Sequence, residues 1–296
     1  MLVPPGQKVP DRKPVVQLGI VTHNRASILP KAIQSALSQT YPTVEVAVFD
    51  DGSHDGTAAL KSEFPSVKWY RSEDARGYIE ARNQLMRTAS ADYYISLDDD
   101  AWFLTGDEIA VAIDYLEANP TVAALAFDVQ SPDRPQPAVR AEPYPTAMFI
   151  GCGHVLRIAA LRETGLYVPS PGLYGSEEKD LCLRLLDRNW DTHLLPGVHV
   201  WHDKSMVARN LQEQHRSGVC NDLAFALRRC PLPLMLIVLP GKILRHLHFA
   251  GHHRLLRPCL AGVGLFLRHA MAVWKSRRAV GTATFREFLR RSQPRS

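Results

Sequence analysis

YYISLDDDAW, residues 93–102, runs from an apolar, aromatic stretch straight into three successive carboxylates, Asp98, Asp99 and Asp100. Adjacent like charges repel unless something neutralises them, so the stretch asks for a solvated acidic turn or for a bound cation. Its apolar half reads as a strand, and the chain upstream repeats the pattern. VVQLGIVTH (15–23) and VEVAVFDDGS (44–53) are β-branched runs ending in polar residues, and VKWYRSE is a third strand. Between them ILPKAIQSALSQT, DGTAALKSEF and GYIEARNQLMRTA carry helical spacing. Strands alternating with helices imply right-handed crossovers and an α/β fold, a mainly parallel sheet flanked by helices.

In such a sheet ligands bind beyond the carboxyl ends of the strands. THNR, DDGS and DDD all fall at those ends, so three separate loops are expected to line one cleft. If the strand period of two continues through the triplet, Asp98 and Asp100 point to one side and Asp99 to the other. Hard oxygen donors select Mg²⁺ or Mn²⁺, ions that share their shell with water and substrate phosphates, so the implied substrate carries a diphosphate.

Downstream, DEIAVAIDYLEANP reads as a helix, TVAALAFDVQ as a strand and the proline-rich 131–146 as loop. AMFIGCGHVLRIAALRETG suggests a strand, a glycine turn and a helix. Its GCG lacks the third glycine and the ribose-reading acid of a dinucleotide fingerprint. SEEKDLCLRLLDRNW reads as a helix capped by Ser176, with acids in its first turn and an Asp180–Arg184 pair one turn apart.

The 296 residues, 46% hydrophobic and 22% charged, suit one large domain with an appendage or two smaller ones, and exclude a disordered or fibrous chain. The five cysteines are scattered, odd in number and without a CxxC pair, so neither a disulfide framework nor a zinc site is expected, and a reducing cytoplasm fits. Residues 1–14 hold four prolines and no apolar signal core, and are expected to be a flexible leader. Residues 1–204 carry 19 Lys+Arg against 27 Asp+Glu, whereas 205–296 carry 16 against 3, so the two regions meet different partners.

The basic region alternates with PLPLMLIVLPGKIL and CLAGVGLFL, which fall short of the roughly 20 apolar residues that span a bilayer and are interrupted by Pro231, Pro233, Pro240 and Pro258. Interfacial helices are expected, with Arg228, Arg229, Arg245, Arg254 and Arg257 meeting anionic lipid; a helical subdomain packed on the core is the competing reading. Nucleic-acid binding is not expected, because the basic residues accompany aliphatic runs rather than aromatic platforms. The protein is thus expected in the cytoplasm, or peripheral on the cytoplasmic face of the membrane.

GIVTHNRASILPKAIQSALSQTYPTVEVAVFDDGSHDGT, ARGYIEARNQ, YISLDDD, GSEEKDLCLRL and LPGVHVWH occur in that order. Together they resemble the family 2 glycosyltransferases, nucleotide-sugar-dependent enzymes of the GT-A fold, over residues 15–204, with 205–296 as a C-terminal helical extension. The resemblance implies a metal-dependent, inverting transfer of a hexosyl or deoxyhexosyl group from a nucleotide-diphosphate sugar to a hydroxyl acceptor, such as a lipid-linked or cell-surface glycan. It places Thr22, His23, Asn24, Arg25, Asp51, Arg76, Asp98 and Asp99 around the nucleotide. It places Asp100, Asp98 and His202 on the ion, Mg²⁺ or Mn²⁺. Glu178 takes the place of the catalytic base, where the family usually has an aspartate, with Glu177 as its substitute and Gly153 on the acceptor side. The positive end of the helix is expected to keep that base ionised. Arg82 and Asn83 read more simply as structural. A sugar-nucleotide nucleotidyltransferase would carry a glycine-rich phosphate loop, which residues 15–40 lack; a non-catalytic nucleotide- or membrane-binding adaptor on the same fold is the other alternative.

Overall fold

The computed structural model describes residues 12–136, 142–205 and 210–293; most of the expected leader and part of the proline-rich loop lie outside the described residues. The chain runs β1 (Val16–Thr22), α1 (Leu29–Leu37), β2 (Val44–Asp51), α2 (Leu60–Glu63), β3 (Lys68–Ser72), α3 (Tyr78–Thr88) and β4 (Tyr93–Asp98). It continues with β5 (Ala101–Phe103), α4 (Glu108–Ala118), β6 (Val122–Gln130), β7 (Tyr144–Pro145), β8 (Gly153–Arg157), α5 (Ile158–Thr164), α6 (Glu177–Leu186) and β9 (Asp191–His202). Four helices end it: α7 (Leu211–Arg229), α8 (Leu232–His252), α9 (Leu256–Lys275) and α10 (Thr282–Arg291).

The strands form one sheet in the order β3-β2-β1-β4-β8-β6-β9-β5, with β7 on β9. The first four are parallel, as strand-helix alternation demands. β8 is antiparallel to both its neighbours, β4 and β6, while β6 and β9 run parallel. Alternate side chains sort into two cores. Val16, Leu18, Ile20, Ile95 and Leu97 pack under Ile33 of α1 and Ile113 of α4. Ala47, Phe49 and Tyr94 face Leu85 of α3, Leu161 of α5 and Leu181 of α6. Gly19 is required by this second layer, because a Cβ there would run into the Tyr94 hydroxyl.

Three local expectations are corrected. The glycine turn at 151–152 precedes β8 instead of following a strand, because the backbone must reverse before pairing antiparallel with β4. Ser176 sits at the start of α6 with φ +81°, yet its side chain makes no cap. The prolines of the basic region do not break it: Pro231 caps α8, Pro233 and Pro258 lie in first turns whose N–H groups have no helical acceptor anyway, and only Pro240 sits inside a helix. α8 and α9 are therefore continuous over 21 and 20 residues, each long and apolar enough by length and composition to cross a membrane.

α7 and α10 pack on the sheet layer, with Phe225 of α7 against Phe288 of α10, whereas α8 lies outermost. Arg228 and Arg229 point inward, contrary to expectation. Both are buried, and Arg229 joins Arg184 on Asp180, fastening α7 to α6.

Candidate active site

The register of the sheet assembles the site. Thr22 ends β1 opposite Asp50, Val21 faces Asp98, and Asp51 faces Ser72, so the carboxyl ends of four parallel strands open on one side. Ala101 pairs with His202, which brings the end of β9 back to the acidic triplet. Leu97 pairs with Gly153, which sets the 151–152 turn beside Asp98. The result is a cleft of about 670 Å³ lined by Thr22, His23, Arg25, Asp51, Arg76, Asp98, Asp99, Glu177, Glu178 and His202. That volume suits a small organic ligand.

The triplet is neutralised from within the protein. β4 ends at Asp98, and Asp99 and Asp100 form a turn, so the period of two does not extend through them. Arg25 Nη1 reaches Asp99 Oδ1 at 2.7 Å and Asp100 Oδ2 at 3.2 Å, while Arg82 pairs with Asp98. Asp99 also accepts a hydrogen bond from the Thr22 hydroxyl at 2.8 Å. Burial nevertheless pushes its carboxyl up to about 6, against the opposing pull of Arg25 and Thr22. Asp100 is fully buried and accepts from the Ser205 N–H at 3.0 Å. His202 Nε2 stands 3.2 Å from Asp100 Oδ1, but without the alignment of a hydrogen bond. A carboxylate and an imidazole are both ligand types for a divalent ion. Asp98, Cys152 and His202 also present ligand atoms within 4.8 Å of one another.

Asp51 organises the loop above β3. Its Oδ1 accepts from Ser72 Oγ at 3.0 Å and from the Arg76 N–H at 2.8 Å, and its Oδ2 accepts from the Gly77 N–H at 2.8 Å. A carboxylate has about four lone-pair directions, so one on Oδ2 remains for a ligand N–H. His23 Nδ1 is 2.7 Å from the Asp51 carbonyl oxygen. Asn24, at φ +54°, spans the β1 and β2 loops: its Oδ1 accepts from the His54 N–H, and its amide lies against His23. Asn24 is not among the residues that line the cleft, and these bonds hold the two loops together.

Glu177 and Glu178 open α6 and line the same cleft. Glu177 is buried and accepts from the Tyr78 hydroxyl. Burial, with the Glu177 charge beside it, pushes the Glu178 carboxyl up to about 8, while Arg82 opposes the shift. The positive helix end was expected to favour the ionised form; burial and the Glu177 charge push the other way. A Cβ on Gly151 would come within 2.8 Å of both Arg82 Nη1 and Glu178 Oε1, so only glycine lets the backbone lie this close to the pair. Gly153, expected on the acceptor side, is buried at the start of β8 with Val129 2.8 Å from where its Cβ would stand; its need for glycine is packing. Gly151, Ile150, Leu173 and Tyr174 line the cleft.

Arg82, read from sequence as structural, is almost fully buried and links the triplet to the Glu178 wall. Its signal was its position one turn beyond Tyr78 on the face of α3 that meets the cleft. Cys152, taken as one of five scattered cysteines, is the residue that sequence distance concealed most fully. It reaches Asp98 only through the antiparallel β4–β8 pairing.

A parallel sheet whose loops gather carboxylates and arginines beneath an acid-bearing helix is the GT-A arrangement. The likeness to solved structures shows the same fold: the mannosyltransferase PcManGT from Pyrobaculum calidifontis, in complex with GDP-Man and Mn²⁺, superposes with a TM-score of 0.61 at 18% identity, covering 90% of this chain and 80% of that one. Residues 18–163, just under half of the chain, match the model of glycosyl transferase family 2, which identifies that part of the chain as a family 2 glycosyltransferase region. Chondroitin synthase from Escherichia coli is 29% identical over 127 residues, 42% of this chain but only 18% of that protein. The chain thus spans less than a fifth of that relative's length. The UDP-Glc:alpha-D-GlcNAc-diphosphoundecaprenol beta-1,3-glucosyltransferase WfaP from Escherichia coli is 24% identical over 212 residues, 69% of this chain and 84% of that protein.

Proposed function

We propose that the protein transfers a sugar from a nucleotide-diphosphate sugar to a hydroxyl acceptor, with inversion at the anomeric carbon and with a divalent ion, Mn²⁺ or Mg²⁺, at Asp100 and His202. The observation that carries this reading is that Asp51, Asp98, His202 and Glu178 line a single cleft, with Asp100 buried against His202. Asp51 accepts the N–H of the base through its remaining Oδ2 lone pair, and Arg76 lies at the same edge. Asp98 faces the ribose and diphosphate, with Arg82 holding its carboxylate in place. Thr22 and Arg25 act through Asp99, fixing the turn that presents Asp100. The ion, when bound, offsets the negative charge that builds on the departing diphosphate.

Glu178 is the base that takes the acceptor hydroxyl's proton as the anomeric carbon becomes oxocarbenium-like. A raised pKa suits that task, since a carboxylate poised nearer neutrality accepts a proton more strongly than an ordinary one. Glu177, held by Tyr78, sets the position and basicity of its neighbour.

The acceptor is a glycan carried on a lipid, and the C-terminal region brings the protein to the cytoplasmic face of the membrane. Leu236, Ile237, Leu244, Leu260, Leu267 and Met271 are each more than half exposed on α8 and α9. Such a surface is larger than the scattered apolar residues of an ordinary exterior, and Arg245 is exposed beside it. The diphosphoundecaprenol acceptor in the name of WfaP supports the same reading.

The test is a panel of nucleotide sugars incubated with the protein and Mn²⁺ or Mg²⁺, read as release of nucleoside diphosphate and by the anomeric configuration of the product. Glu178→Gln should keep donor binding and lose transfer by at least a hundredfold. Transfer at the wild-type rate would assign the base elsewhere.

A further inference from the structure

From the donors gathered at Asp98, Cys152 and His202, we infer a second use of the cleft: a binding site for soft divalent cations of the Zn²⁺ class, in which Cys152 supplies the sulfur and which competes with the sugar donor. The three residues come from β4, the turn before β8, and the end of β9, and all three line the cleft. Their ligand atoms lie within 4.8 Å of one another. In a tetrahedral zinc site, sulfur and nitrogen ligands stand about 3.6 Å apart, given zinc–sulfur and zinc–nitrogen bonds of about 2.3 and 2.1 Å. Closing the set therefore asks for side-chain shifts of about 1 Å around a Cys152 that is itself buried.

The second observation is on His202 itself. Its Nε2 is buried with no hydrogen-bond partner, an arrangement that costs free energy unless a ligand relieves it. Asp98 gives Oδ1 to Arg82, and a carboxylate has a second oxygen for an ion. A carboxylate, an imidazole and a thiol form a mixed set that an ion of borderline softness fits and that Mn²⁺ or Mg²⁺ does not. The order of divalent affinities runs the same way, with Mn²⁺ below Co²⁺ and Zn²⁺. As the ion binds, the Cys152 S–H bond breaks, sulfur donates to the metal and one proton leaves to solvent. An ion held by Asp98 and His202 takes the imidazole that the proposed Mn²⁺ or Mg²⁺ site also needs, so soft ions displace the ion on which donor binding depends.

This inference shares Asp98 and His202 with the proposed donor site, and its test separates the two. Co²⁺ is titrated into the full chain as the probe for the soft class. One equivalent should produce a thiolate-to-Co²⁺ charge-transfer band in the near ultraviolet, releasing about one proton per ion, and Zn²⁺ should bleach it. Cys152→Ser should remove the band and lower Zn²⁺ affinity at least tenfold more than it lowers Mn²⁺ affinity. A band that survives in Cys152→Ser, or none in the wild type, overturns the inference. Should the variant fold poorly, X-ray absorption at the zinc edge of the wild type replaces it. A sulfur in the zinc shell is expected, and a shell of nitrogen and oxygen alone overturns the site. Mn²⁺-dependent donor binding without the cobalt band removes Cys152 and leaves the transferase reading intact. The band without Mn²⁺-dependent donor binding sustains the soft site and removes the metal step from the transferase reading.

Discussion

Arg82 and Gly151 show how narrowly single residues define this cleft. The guanidinium holds Asp98 on one side and lies beside Glu178 on the other, and it fits because residue 151 has no Cβ. Gly151→Ala should move the pair apart and reduce transfer by about 10- to 100-fold, the loss that follows a misplacement of about 1 Å, with the folded structure intact by circular dichroism. Glu177 and Glu178 carry a pH signature. Because the Glu177 charge helps raise the Glu178 carboxyl to about 8, kcat/KM should rise with pH through an apparent pKa well above an ordinary carboxylate's. Glu177→Gln removes the like charge, so the rising limb should move to lower pH; an unmoved limb would mean another group titrates. At this scale the sequence disclosed the residues of the cleft better than their partners. Asp51, Asp98, Asp100 and Glu178 were legible because acids at strand and helix ends stand out. The neutralisation of the triplet by Arg25 and Arg82 was not, since Arg25 and Asp99 lie 74 residues apart in sequence and only the β1–β4 register brings them together.

Elements decide how firmly these residues are held. α6 carries both glutamates, and its buried Asp180 binds Arg184 on the same helix and Arg229 on α7. Two guanidinium groups left facing one another without their carboxylate are costly to bury, so Asp180→Ala should lower stability by about 3–5 kcal/mol, measured by denaturant unfolding. A change under 1 kcal/mol would mean that the helices are held by packing alone. The first four strands and their helices were readable from apolar runs of period two and of helical period. β8 was misplaced because the glycines next to it read equally well as a turn after a strand or before one, and only pairing with β4 decides. The proline-bearing helices were misread for a different reason: proline ends a helix from its interior, but at a first turn it removes no bond.

At the scale of the whole molecule, the charge asymmetry of the sequence has become a spatial one. The acidic part of the chain forms the sheet and its cleft, and the basic part divides into α7 and α10, packed on that sheet, and α8 and α9, which present apolar side chains outward. Paired substitution of Leu236 and Ile237 by aspartate should at least halve the fraction of protein that sediments with anionic vesicles, with transfer to a soluble acceptor retained. Equal sedimentation would place the membrane contact elsewhere. The claim on which the chemistry depends is the ion-assisted grip on the donor at Asp100 and His202. Its most direct measure is the calorimetric affinity for nucleotide-diphosphate sugars with Mn²⁺ and with a chelator, in the wild type and in Asp100→Ala. Affinity that falls at least tenfold on chelation, and no longer responds to Mn²⁺ in the variant, is the predicted result; a donor that binds the wild type equally well with and without the ion contradicts it.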